Sequence, residues 1–200
     1  MSEMTTKDDG LGDLTVVDGP WDASQAPAGT EFIDFGPLKL PLIAGLKARV
    51  EFDQRTKRVG AVSVKVNNSE VQLQVIAAPR GQQYWLDVRR TMLERLRKGA
   101  GNQHAMEGHF GTEVIATLTG RRRDGVLADA PMRLVGVEGD RWVLRAVVTG
   151  LDVTTDETVD RVNALISHCA VDRGEEPIGA GTVLELMPPP GSYVPDEESA

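Results

Sequence analysis

The residues best placed for binding chemistry are two arginines in the segment that runs from Gly136 to Gly150. Apolar and polar residues alternate there, which predicts a strand with Trp142 on one face and with Arg141 and Arg145 on the other. Two guanidinium groups four residues apart on one face of a strand form a fork that suits a carboxylate. An ion pair between Arg145 and Glu113 on a neighbouring strand is the alternative use of that charge. The predicted binding residues are therefore Glu113, Arg141, Trp142, Arg145 and Arg89.

A second cluster, His104, Glu107 and His109, brings together two imidazoles and a carboxylate, the ligand set of many catalytic metal sites. Its spacing argues against a metal. On a strand Glu107 and His109 share a face while His104 points the other way, and on a helix the order differs from the H-E-x-x-H arrangement of zinc hydrolases. We therefore expect no metal site, and these residues remain secondary candidates for an unusual enzyme.

Other catalytic patterns are missing from the sequence. The single cysteine, Cys169, cannot form an internal disulfide, and it falls on the apolar stripe of a predicted helix, so we expect it to be buried. Neither a Gly-x-x-x-x-Gly-Lys-Ser/Thr loop, nor a Gly-x-Gly-x-x-Gly loop, nor a Gly-x-Ser-x-Gly elbow occurs. The sequence thus indicates no cofactor and favours a protein that is not an enzyme.

Charge is unevenly distributed along the 200 residues, whose net charge is −8. Residues 1–31 and 172–200 each hold seven acidic residues against one basic residue, which leaves residues 32–171 with a net charge of +4. Arg121, Arg122 and Arg123 are the candidate nucleic-acid contacts, because each neutralised phosphate strengthens binding. The small positive surplus and an aromatic content of only 4% argue against this use of the charge.

The elements that position these residues follow from hydrophobic periodicity. Strands are predicted at 46–53, 59–66, 70–77, 105–119, 132–137 and 142–148, helices at 82–98 and 155–168, and a short last strand at 170–172. Hairpin turns are expected at Asn67-Asn68-Ser69 and Glu138-Gly139-Asp140, and Thr154 to Glu157 has the form of a capping box. The predicted fold is an α+β domain with an antiparallel sheet and two helices, in the order βββα-βββα(β).

Composition also predicts the domain limits. Residues 1–30 and 188–200 are acidic and rich in Gly and Pro, so we expect two disordered tails around one domain at 31–187. The chain starts without the basic and apolar segments of a secretion signal, and it contains no apolar run of about 18 residues. A cytoplasmic location and no membrane contact are therefore expected.

Several segments also resemble a known family. They are Gly19 to Asp22, Ala77 to Pro79, Trp85 to Arg89, Phe110 to Glu113, Gly139 to Gly150, and Asp172 to Gly174 with Pro177. As an ordered set they are similar to an uncharacterised actinobacterial family, domain of unknown function number 3710. The resemblance spans nearly the whole chain, although the segment after Pro177 is less typical. It implies a shared fold but no activity, cofactor or catalytic residue.

These patterns favour a cytoplasmic, non-enzymatic protein-binding, adaptor or chaperone-like domain, because a hairpin-rich sheet offers an exposed face or edge to a partner. The partner is an unidentified protein, and a homodimer is an additional expectation, since two-fold dimers are the commonest oligomers. The second hypothesis is a small-molecule-binding or hydrolytic enzyme with a non-standard site. Weak nucleic-acid binding is the third.

Overall fold

The fold is taken from a computed structural model of the chain, which describes residues 10–81, 83–97, 102–121 and 127–190. The strands are β1 (Trp21–Asp22), β2 (Phe32–Phe35), β3 (Leu38–Pro41), β4 (Ala48–Phe52), β5 (Val59–Val66), β6 (Ser69–Ala77), β7 (Gln103–Gly108), β8 (Gly111–Arg121), β9 (Leu127–Gly139), β10 (Trp142–Gly150) and β11 (Ala170–Val171). The helices are α1 (Tyr84–Arg97) and α2 (Asp156–Ser167), with a short 3-10 helix at Ala23–Gln25.

The larger sheet has seven antiparallel strands in the order β4-β5-β6-β10-β9-β8-β7. Its strands form because branched apolar residues alternate with polar ones, so that Val62 and Val64 of β5 lie opposite Leu73 and Val71 of β6 on one buried face. The predicted hairpin between β5 and β6 is present. Asn67 in its turn has a φ of 51°, a left-handed conformation that asparagine adopts more readily than most residues.

A smaller sheet in the order β1-β11-β3-β2 lies with α2 on one side of the larger sheet. Its β1–β11 pair is parallel and its other pairs are antiparallel. The main core is enclosed between these layers and includes Leu38 from the small sheet, Leu144 from the large sheet and Leu165 from α2.

Helix α1 packs on the opposite side of the larger sheet, where its nearest strands are β7, β8 and β9. The Trp85 ring lies directly over Gly136, so any side chain at position 136 would collide with that ring. Glu138 holds the start of the helix: its Oε1 accepts a hydrogen bond of 2.8 Å from the Trp85 backbone N–H.

Helix α2 begins at Asp156, one residue later than the capping box predicts. The side chain of Thr155, and not that of Thr154, accepts the N-terminal hydrogen bond, from the Thr158 N–H. The predicted buried stripe is confirmed, and Cys169, just beyond the helix, is fully buried. In the described ranges, no helix is both long enough and apolar enough to cross a membrane.

A C-terminal segment, residues 182–187, lies between the diverging ends of β5 and β6. Its Leu184 N–H donates to the Val75 carbonyl, and its Leu186 N–H donates to the Val59 carbonyl, each at 2.8 Å. The side chains of Leu184 and Leu186 are buried in the main core. The segment therefore completes the hydrogen bonding where the two strands separate.

The predicted α+β class, with two helices and mostly antiparallel strands, is confirmed, but the element order differs. Three strands, β1 to β3, precede the three opening strands predicted from periodicity. The strand predicted at 105–119 is two strands, β7 and β8, which turn back between Gly108 and Gly111. Gly111 has a φ of 100°, which allows this tight reversal.

The structure also departs from the predicted N-terminal tail. Leu11 is fully buried in the main core, and Trp21 and Asp22 form β1. The acidic, Gly- and Pro-rich composition predicts a tail here, but short apolar stretches within it pair with segments far away in the chain. Residues 1–9 and 191–200, the outer parts of both predicted tails, lie outside the described residues.

Candidate functional site

The α1 side of the larger sheet is polar in its β4, β5 and β6 half. The strand register places Glu51, Ser63 and Gln72 on this side, while the intervening valines face the main core. This half of the sheet borders a groove of about 1250 Å³, which we call the polar groove. Glu51, Gln72 and Gln74 line it, together with residues of the small sheet, the β4–β5 turn and the C-terminal segment.

Glu51 is the best-connected charge in the polar groove. Its carboxylate accepts hydrogen bonds from Ser63 Oγ, from Gln72 Nε2 and, at 3.3 Å, from Arg49 Nη2. Burial alone would raise the pKa of Glu51, but the bonds from Ser63, Gln72 and Arg49 outweigh it and hold the pKa below its ordinary value. Glu51 is therefore a fixed anion at neutral pH, which suits binding and does not suit a general acid.

Two unsatisfied groups lie side by side at the edge of the groove. Gln74 Oε1 is buried and has no hydrogen-bond partner among the described residues. Gln74 is directly opposite Arg145 of β10, so their side chains leave the same face of the sheet. The Arg145 guanidinium makes a single contact of 3.5 Å, from Nη1 to the Met92 sulfur of α1, and its Nε is buried without a partner in the described chain. Burial, together with the nearby charge of Arg95, lowers the pKa of Arg145.

Glu113 does not pair with Arg145. Its carboxylate accepts two hydrogen bonds from Arg133, at 2.6 Å from Nε and 2.9 Å from Nη2, and Arg133 Nη2 also donates to Asn163 of α2 at 2.7 Å. Glu113 and Arg133 are each only 2% exposed. The Glu113–Arg145 alternative is wrong because strand alternation puts Glu113 on the α2 side of the sheet and Arg145 on the α1 side.

The predicted fork of Arg141 and Arg145 does not form either. Arg141 lies in the β9–β10 turn with a φ of 64°, and its Nη2 donates to the Gly174 carbonyl at 3.4 Å. The turn thus directs it away from Arg145, which contacts α1. Arg89 of α1 donates to the Thr112 carbonyl at 3.2 Å and so ties the helix to β8.

Trp142 helps to form a second, smaller cleft of about 580 Å³. Its Nε1 donates to Asp22 Oδ1 at 2.6 Å, and Asp22, Arg141, Asp172 and Arg173 are among the residues that line the cleft. Three segments on which the family resemblance rests, around Asp22, Arg141 and Arg173, thus meet here. The lining holds four acids, Asp22, Asp140, Asp172 and Glu175, against two arginines, Arg141 and Arg173, a mixture that singles out no ligand.

The remaining candidates do not come together. His104 is opposite Ile115 and Glu107 is opposite Thr112, so they lie on different faces of β7, while His109 packs edge-on against Phe110. Within the described ranges, no three His, Cys, Asp or Glu side chains are placed to hold a metal. Burial also raises the pKa of the Cys169 thiol, which keeps it protonated. Arg121 ends β8, and Arg122 and Arg123 lie outside the described residues.

Sequence reasoning missed Arg133 and Gln74. Arg133 follows the same alternation as Val135 and Val137, which face the main core. A charge in such a series is a signal of a buried ion pair, but the partner could be identified only from the register. Gln74 has no such signal, because glutamine is an ordinary residue on the solvent side of a strand.

Comparison with known proteins adds one match. A family model described as a protein of unknown function (DUF3710) matches residues 19–193, a range that includes the segment after Pro177. No curated protein matches the chain.

Proposed function

The chain belongs to this DUF3710 family, whose description states no activity, and from the geometry we propose that it is a non-enzymatic domain that binds a protein partner in the polar groove. The expected ligand is an extended peptide segment of that partner. It would lie along the polar half of the sheet, beside α1 and over the C-terminal segment.

The observation that carries this proposal is the buried, unpaired Gln74 Oε1 beside the polar groove. A buried acceptor without a hydrogen bond costs about 1–3 kcal/mol. A backbone N–H of an extended peptide would supply the missing donor, as main-chain groups do in other modes of peptide recognition.

The size and lining of the polar groove also favour a peptide. Its volume of about 1250 Å³ exceeds the roughly 300–1,000 Å³ of sites for small molecules. Three of its lining residues are apolar and exposed, namely Phe52 (43%), Val183 (38%) and Met187 (61%). Such side chains can receive apolar residues of a partner, while Glu51 and Gln72 provide polar contacts.

Two potential nucleophiles, Ser63 and Cys169, are poorly placed for catalysis in the polar groove. Ser63 is only 4% exposed, and its hydroxyl already donates to Glu51. Cys169 is fully buried on the other side of the sheet. Neither side chain can attack a bound ligand without a large rearrangement.

Site-specific photo-crosslinking in cells tests the proposal. A photo-reactive phenylalanine analogue replaces Phe52 in the polar groove or, as a control, Leu151, which is 86% exposed between β10 and α2. We expect a discrete protein adduct from position 52 that is absent from position 151. Gln74→Leu should weaken the adduct at least fivefold, whereas Gln83→Leu, at an exposed position, should leave it unchanged.

Equal adducts from positions 52 and 151, or no adduct from position 52, would contradict the proposal. An adduct that survives Gln74→Leu would remove the observation on which it rests. Circular dichroism of each variant checks that the fold is retained.

A further inference from the structure

We propose that Arg145 of β10, directly opposite the groove residue Gln74, is a carboxylate-binding subsite that receives an acidic side chain or chain terminus of the bound peptide. This inference rests on the proposed function of the groove. It specifies that the bound peptide carries a carboxylate at the position that meets Arg145.

The buried Nε of the Arg145 guanidinium is the first argument. Its Nη1 contacts the Met92 sulfur at 3.5 Å, whereas its Nε is buried without a hydrogen-bond partner among the described residues. Nε and Nη2 of Arg133 are the two atoms that grip the Glu113 carboxylate in this same protein. The Nε of Arg145, the counterpart of the atom that donates to Glu113 at 2.6 Å, is thus a buried donor that lacks an acceptor.

The acids on the surrounding elements are the second argument, because those nearest in the fold have other partners. Asp87 of α1 pairs with Arg90 at 2.6 Å, and Glu138 of β9 accepts from the Trp85 N–H. Glu51 of β4 is held by Ser63, Gln72 and Arg49. The last acid of α1, Glu94, is exposed. Across the described residues, no carboxylate lies within 4.0 Å of Arg145.

The local charge is the third argument. Arg95 is close enough to disfavour the charge of Arg145, and Arg89 reaches β8 from the same helix. Burying an unpaired guanidinium next to other cations is costly, and an anion from outside the chain offsets that cost. A planar carboxylate fits the flat Nε and Nη2 edge with two parallel hydrogen bonds, and the neighbouring Gln74 amide can bond the same ligand.

Side-chain NMR of the full-length protein tests the subsite. The probe is the blocked peptide acetyl-Gly-Glu-Gly-amide, with inorganic phosphate as a separate arm, and the signal is the Arg145 Nε–H resonance, assigned from its loss in Arg145→Gln. We expect a saturable shift with the peptide and a response to phosphate at least fivefold weaker. Backbone amides around position 145 should report peptide binding at least tenfold weaker in Arg145→Gln. Arg90→Gln, which removes an exposed arginine of α1, should bind within twofold of the wild type.

Three outcomes would overturn the subsite: no saturable shift with the peptide, an equal response to phosphate, or equal losses in Arg145→Gln and Arg90→Gln. A fourth is an Arg145 resonance that ignores the peptide but moves on Gln74→Leu, which would show that Arg145 and Gln74 only bond each other. A position-52 adduct without peptide binding at Arg145 rejects the subsite and keeps the proposed function. Peptide binding at Arg145 without a position-52 adduct keeps the subsite and rejects the proposed function.

Discussion

Two arginines on strands of the same sheet show how burial and partners decide the role of a residue. Arg133 is 2% exposed, and Glu113 and Asn163 accept its hydrogen bonds, so it joins β8, β9 and α2. Arg145, on the opposite face, has no acidic partner within the described residues. The first is structural because its charge is already neutralised, and the second is available to a ligand.

We predict that Arg133→Ala lowers the free energy of unfolding by about 3–5 kcal/mol, because it leaves the Glu113 charge buried and unpaired. Replacing both residues, as Arg133→Met with Glu113→Leu, should recover most of that loss. Urea denaturation followed by tryptophan fluorescence measures both. Arg90→Ala, which breaks the exposed pair with Asp87, should cost less than about 1 kcal/mol. A double variant no more stable than Arg133→Ala would show that the pair contributes more than charge neutralisation.

Elements are joined across the fold by a second carboxylate, Asp152, in the loop before α2. It accepts hydrogen bonds from Ser69 Oγ, from the Asn68 N–H and from Thr158 Oγ1. Burial raises the pKa of Asp152, but these hydrogen bonds outweigh it and hold the pKa below its ordinary value. Asp152 therefore fastens the β5–β6 hairpin to the first turn of α2 in its charged form.

The sign of the pH dependence follows from that lowered pKa. The contribution of Asp152 to stability is complete above the unfolded pKa of about 3.9 and is lost as the pH falls through the lower, folded pKa. We predict that Asp152→Asn is less stable than the wild type at pH 7, by about 1 kcal/mol or more, and that the difference shrinks below about pH 4. Urea denaturation from pH 7 to pH 3 measures it. A difference that stays constant over this range would show that the charge of Asp152 is not involved.

At the scale of the whole molecule, the C-terminal segment holds the two sheets together. It bonds to β5 and β6 of the large sheet, and its Met187 N–H donates to the Phe35 carbonyl of the small sheet at 3.0 Å. Its side chains alternate, with Leu184 and Leu186 in the core and Glu185 in the polar groove, where it pairs with Arg58 at 3.3 Å. A single segment thus contributes both to the core and to the candidate site.

We predict that Leu184→Ala and Leu186→Ala each lower the free energy of unfolding by about 2–5 kcal/mol, because each leaves a cavity in the core. Glu185→Ala between them should cost less than about 1 kcal/mol, since it removes an exposed ion pair. Urea denaturation gives the three values. Equal losses for all three variants would mean that the segment stabilises through its backbone alone.

Features that depend on neighbouring residues could be predicted from the sequence alone. The alternation in residues 59–77 predicted the β5–β6 hairpin, and the apolar stripe of residues 159–169 predicted α2 and the burial of Cys169, because side-chain direction follows from the period of the element. The same rule separates His104 from Glu107. Local periodicity failed at β1 to β3, since these short strands gain their hydrogen bonds from segments far away in the chain.

Which side chains meet depends on how distant segments pack, and this could be read only from the fold. Glu113 and Arg133 are 20 residues apart, and Asn163 is 30 residues further along, so their contact depends on strand order and register. The turn conformation of Arg141 removed it from the predicted fork. The polar groove exists because α1 lies over β7, β8 and β9 and leaves the β4 to β6 half of the sheet open. A helix position of this kind is set by packing between distant segments, and a pattern of neighbouring residues does not encode it.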